Sequence, residues 1–84
     1  MRATDMLPDG VNQREIAGTV VRKGSVAAFL ANARVLADPQ ATSEARYIAE
    51  SDLRELLPTL RALGLFDVLE IRDATLRAFV DAQL

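Results

Sequence analysis

Residues 25–39 read Ser25-Val26-Ala27-Ala28-Phe29-Leu30-Ala31-Asn32-Ala33-Arg34-Val35-Leu36-Ala37-Asp38-Pro39, and this stretch decides the class of fold. Val26, Phe29, Leu30, Ala33 and Leu36 recur at three- and four-residue spacing. The pattern predicts an amphipathic helix over 25–37 with those residues on one face. Ser25, preceded by Gly24, is the expected N-cap. Asp38-Pro39 stops the helix, because the residue before a proline is pushed out of the α region.

Toward the C-terminus a second helical segment runs over 43–63, capped by Thr42 or Ser43. Ala49, Leu53, Leu56, Leu60 and Leu63 form a 4-3-4-3 stripe, a heptad spacing too short for a free-standing coiled coil. Pro58 lies inside it and removes a backbone donor at a cost of about 3 kcal/mol. Two outcomes fit: a kinked helix, or one helix over 43–57 and another over 58–63. Gly64 suits a C′ position with Leu65 as the apolar contact beyond it. Leu65-Phe66-Asp67-Val68-Leu69-Glu70-Ile71 reads as an apolar connector. Asp73 is the expected cap of a last helix over 74–83, burying Leu76, Phe79 and Val80.

Toward the N-terminus, Val11, Ile16, Thr19, Val20 and Val21 are β-formers, and Gly18 offers a turn. A β-hairpin over about 12–22 follows, with strands near 12–16 and 19–22. An isolated two-stranded ribbon is marginal in water, so it must lie on helices or pair across a subunit boundary. Residues 1–10 read as a flexible segment ending in Pro8-Asp9-Gly10, from which Met6 and Leu7 can tuck onto the core. The chain is thus expected to be α+β and mostly helical: one small domain over 11–84, a hairpin and then three or four short helices.

Composition narrows the chemistry. Half of the 84 residues are apolar, and there is no histidine and no cysteine. Those two residue types supply most nucleophiles, near-neutral bases and transition-metal ligands. No cofactor or nucleotide motif is complete either. The reading is therefore a non-enzyme with no cofactor and no metal. Net charge is −2, and of the ten basic residues only Arg22-Lys23 are adjacent. Nucleic-acid binders show a clustered basic face, so no nucleic-acid partner is expected. No apolar run is long enough to span a membrane. Thr4, Asp5, Pro8 and Asp9 interrupt any signal-peptide pattern, which leaves the cytoplasm as the expected location. A chain of this size buries only about 60–65% of its unfolded surface, so a partner subunit helps it.

Two stretches carry a family resemblance. Gly24-Ser25-Val26-Ala27-Ala28-Phe29-Leu30-Ala31-Asn32 resembles a Gly-Ser/Thr-Val-x-x-x-Leu-x-Asn stretch in a family of small bacterial cytosolic proteins of unassigned function. Leu57-Pro58-Thr59-Leu60 followed by Gly64-Leu65-Phe66-Asp67 resembles a second stretch of that family, in similar order and spacing. The resemblance implies a hairpin-then-helices order and a bacterial, cytosolic setting. It transfers no catalytic residues.

Few constellations carry chemistry. Arg22, Lys23, Gly24 and Ser25 run into a helix start, where free N–H groups and the positive dipole end can hold a phosphate or carboxylate. Lysine precedes glycine here, the wrong order for a phosphate loop, and strand end, glycine turn and serine cap explain the same residues. Arg46, Glu50 and Arg54 are spaced for two i,i+4 ion pairs on a solvated face. Asp73 and Arg77 have the same spacing. Asn32, mid-helix, either bonds the hairpin or a second subunit, or is exposed. Tyr47 without a histidine partner reads as half-buried packing.

The apolar surplus is the stronger signal. Three stripes need cover and a three-helix core comfortably buries two, so Leu65, Phe66 and Val68 in the connector are the expected interface residues. A homodimer is expected, by hairpin edge pairing or by apolar helix packing. The leading function class is a non-enzymatic protein-interaction or regulatory module in the cytoplasm. The alternative is a binder of a small anionic ligand at the Ser25 helix start. A third, helix-turn-helix DNA binding across the Ala37–Thr42 connector, is opposed by the acidic balance.

Overall fold

The computed structural model describes residues 13–16 and 18–83, so the expectations for residues 1–12 lie outside the described residues. Strands β1 (Gln13–Ile16) and β2 (Thr19–Arg22) are followed by helices α1 (Ser25–Ala37), α2 (Ser43–Leu63), α3 (Leu65–Val68) and α4 (Ala74–Ala82). The chain is α+β and mostly helical, with the hairpin first.

The strands pair antiparallel in the register Gln13↔Arg22, Arg14↔Val21, Glu15↔Val20 and Ile16↔Thr19. Period-two alternation puts Ile16, Thr19 and Val21 on one face and Glu15, Val20 and Arg22 on the other. Val21 is buried at 3% exposure while Val20 is 49% exposed, so the first face is the covered one. The hairpin packs through β2 on α2, which supplies the support a two-stranded ribbon needs.

Helix α1 spans the predicted residues, but its cap does not sit where expected. Gly24 is the N-cap, with φ 81°, and Ser25 is the first helical residue. The Ser25 hydroxyl, instead of accepting from the helix, donates to the Arg22 carbonyl at 2.8 Å. The left-handed φ at Gly24 explains the shift: the strand must reverse before the helix starts, and only glycine adopts that φ without strain. The predicted apolar stripe also divides. Phe29 is buried and Ala33 and Leu36 pack on the core, whereas Val26 and Leu30 remain 40% and 52% exposed.

Helix α2 is continuous over Ser43–Leu63 with Pro58 inside it, which corrects the division at 57/58. Pro58 deprives the Arg54 carbonyl of its donor, but both residues are exposed, so water reaches the freed group. Thr42 caps the start, its Oγ1 accepting from Ala45 N at 3.0 Å. The buried face is Ala49, Leu53, Leu57 and Leu60, with Leu56 and Leu63 only partly covered. A strict heptad count therefore selects Leu56 where the core takes Leu57. Ala49, Leu53 and Leu57 follow i,i+4 steps, the row that meets a neighbouring helix.

Gly64, at φ 78°, ends α2 and starts α3, its N–H bonding Arg61 O and Leu60 O. The predicted connector thus contains one turn of helix. Asp73 caps α4 as expected, its Oδ1 accepting from Leu76 N at 2.8 Å. One core results: Phe29 from α1, Leu53, Leu57 and Leu60 from α2, and Leu76 and Val80 from α4, flanked by Leu65, Phe66, Ile71 and Phe79.

Candidate functional site

Two concavities bear on function. The first lies between the hairpin and the first two helices, with a volume of about 500 Å³. β2 contributes Val20 and Arg22; α1 contributes Ser25, Ala28 and Asn32; α2 contributes Asp52, Glu55, Leu56 and Thr59. Steps of three and four residues from 52 to 59 put Asp52, Glu55, Leu56 and Thr59 on one flank of α2, so that flank forms a single wall.

Of the expected anion-binding residues, Arg22 and Ser25 line this cavity and Lys23 and Gly24 do not. The Ser25 hydroxyl is committed to Arg22 O, and the residue is 8% exposed. Asn32 donates through Nδ2 to Ala28 O at 2.9 Å, in its own helix, rather than to the hairpin. Two carboxylates of α2, Asp52 and Glu55, line the same cavity as the helix start, a feature the linear spacing of residues 22–25 gave no sign of.

The second concavity, about 320 Å³, lies at the junction of α3 and α4. Phe66, Leu69, Ile71 and Val80 supply its apolar wall, and Glu70, Arg77 and Asp81 its charged rim. Arg77 Nη1 stands 3.6 Å from Glu70 Oε1 and donates to Ile71 O at 3.3 Å, so its partner is Glu70 and not the predicted Asp73. Asp73 is already engaged as the α4 cap. The expected interface trio is split. Leu65 and Phe66 pack against the core, with the Phe66 ring 6.0 Å from that of Phe29 at 62°, whereas Val68 is 84% exposed. Leu69, beside it, is 58% exposed.

The charged residues of α2 act mostly as fasteners. Arg54 pairs with Glu50 at 3.7 Å, but Arg46 reaches the connector instead, donating to Asp38 O at 2.9 Å. Arg54 also lies over the Phe79 ring at 5.3 Å and donates to Gln83 Oε1 at 3.3 Å. Arg61 donates to Gln83 O at 3.0 Å. Two cations at the C-terminal end of α4 meet its negative dipole end. Tyr47 is 70% exposed, not half-buried.

Among the described residues, no group of three or more acidic side chains is placed to hold a metal ion. No helix among them is long and apolar enough to cross a membrane. No family model, curated protein or solved structure matches this chain.

Proposed function

We propose that this chain is a non-enzymatic, cytoplasmic protein-interaction module that docks a partner segment in the groove between α3 and α4. One observation carries the reading. Leu69 lines an apolar groove and, with its neighbour Val68, presents two consecutive large apolar side chains at 58% and 84% exposure. Single exposed apolar residues are ordinary, but a pair continuous with an apolar groove marks a contact surface. The charge of the rim supports a choice of partner chemistry. Glu70 and Asp81 outnumber Arg77, which is already engaged with Glu70. The occupant is therefore an amphipathic segment whose apolar side chains are flanked by lysine or arginine.

The test is fluorescence anisotropy with two labelled helical peptides of identical leucine pattern, one carrying lysines and the other glutamates. The lysine peptide binds and the glutamate peptide does not, and Leu69→Asp abolishes binding while leaving the melting temperature unchanged. Equal binding of both peptides, or none of either, removes the proposal.

Self-association belongs to the same reading. Val26 and Leu30, one turn apart on α1 and half exposed, offer a helix-packing face for a second copy. Sedimentation equilibrium at micromolar concentration yields a dimer that Leu30→Asp dissociates. A monomer under those conditions rejects this part.

A further inference from the structure

The cavity between the hairpin and the helices is distinct from the docking groove and has its own charge pattern. Arg22 stands on β2, and Asp52 and Glu55 stand on α2. Among the described residues none of the three makes an ion pair, with each other or with any other side chain. Among the described residues, the cavity lining thus carries one guanidinium and two carboxylates, none of them in an ion pair. Two of its neutral groups lean the same way. The Ser25 hydroxyl commits its hydrogen to Arg22 O, and Asn32 commits an amide hydrogen to Ala28 O, which leaves their oxygens as acceptors. A bare phosphate at the helix start would meet the dipole and Arg22, but also two carboxylates.

The complement of two carboxylates and one guanidinium is two ammonium groups and one carboxylate. We infer that this cavity binds a dibasic amino acid, a lysine- or ornithine-like molecule. Its carboxylate meets Arg22, and its two amines meet Asp52 and Glu55. A volume of about 500 Å³ falls within the range of small-molecule sites, roughly 300–1,000 Å³, and leaves room for water around so small a ligand. Val20 and Leu56 give the ligand's methylene chain an apolar surface. All three charged side chains are exposed, so binding weakens with added salt.

The test is titration of the labelled protein with L-lysine, putrescine, L-glutamate and inorganic phosphate, followed by amide resonances. L-lysine shifts the amides of residues 22–25 and 52–55, and L-glutamate does not. Asp52→Asn and Glu55→Gln each weaken L-lysine several-fold, up to about tenfold, the scale of a hydrogen bond to a charged group. Arg22→Gln weakens L-lysine and leaves putrescine, which lacks a carboxylate, unchanged. Each variant replaces an exposed side chain and keeps the Arg22 carbonyl that Ser25 uses, and an unchanged spectrum elsewhere verifies its fold. Silence toward L-lysine overturns the inference, as does a response to phosphate alone. Putrescine binding as tightly as L-lysine overturns the assignment of Arg22 to a carboxylate.

Discussion

Phe29 on α1 and Phe66 on α3 meet edge to face, with ring centroids 6.0 Å apart and planes inclined by 62°. Their contact ties the first helix to the turn after the second. Phe29 is 4% exposed and Phe66 only half buried. Phe29→Ala is expected to cost about 3–5 kcal/mol and Phe66→Ala less. A double-mutant cycle in urea is expected to return a coupling of about 0.5–1.5 kcal/mol. Additive losses would mean that the rings share only area burial.

Pro58 lies in an unbroken helix, so its replacement sets two opposing effects against each other. Pro58→Ala restores a donor to the Arg54 carbonyl and removes a penalty of about 3 kcal/mol. It also frees the unfolded chain, which costs about 0.4–1 kcal/mol. The restored hydrogen bond and relieved clash outweigh the added chain entropy, and the variant is expected to be stabilised by roughly 2 kcal/mol. A lower urea midpoint would show that the helix is built around the proline.

The two side-chain caps are separable. Thr42→Ala removes the acceptor for Ala45 N, and Asp73→Ala removes that for Leu76 N. Each is expected to cost about 1 kcal/mol, the usual size of an N-cap. Ser25→Ala breaks a different bond, to Arg22 O, in a residue 8% exposed. Its loss is expected to raise hydrogen exchange in β2 rather than in α1, because the bond ties the helix start to the strand. Selective exchange in the first turn of α1 would contradict that.

The extent of α1, the start of α4 and the hairpin were legible in the residues, because apolar periodicity and turn chemistry are local. The second strand over 19–22, the cap at Asp73 and the break at Asp38-Pro39 all follow from neighbours in sequence. What escaped was set by tertiary packing. Leu57 rather than Leu56 enters the core because α2 packs along an i,i+4 row, which a heptad count does not separate from its neighbour. Ser25 lost its cap role to Gly24 because a strand had to reverse one residue earlier than the serine. Asp52 and Glu55 showed no sign of sharing a cavity with Arg22, since nothing in their spacing encodes where the hairpin lies. Their position on one flank with Leu56 and Thr59 was the signal available.

Arg54 serves α4 more than it serves Glu50. It lies over Phe79 and donates to Gln83, whereas its ion pair is an exposed i,i+4 contact at 3.7 Å. Exposed pairs of that kind contribute about 0.3–0.5 kcal/mol, and a cation over an aromatic ring about 0.5–1 kcal/mol. Glu50→Ala is therefore expected to change stability little, and Arg54→Ala to cost about 1 kcal/mol more. Equal losses on chemical denaturation would assign Arg54 to the ion pair alone.

The docking proposed for the α3–α4 groove is tested most directly by locating the lysine peptide by amide chemical-shift mapping. Shifts are expected to concentrate in residues 66–71 and 77–81, where Phe66, Leu69, Ile71 and Val80 line the groove. Shifts confined to residues 20–28 and 52–59, around the hairpin cavity, would contradict a docking role for the groove.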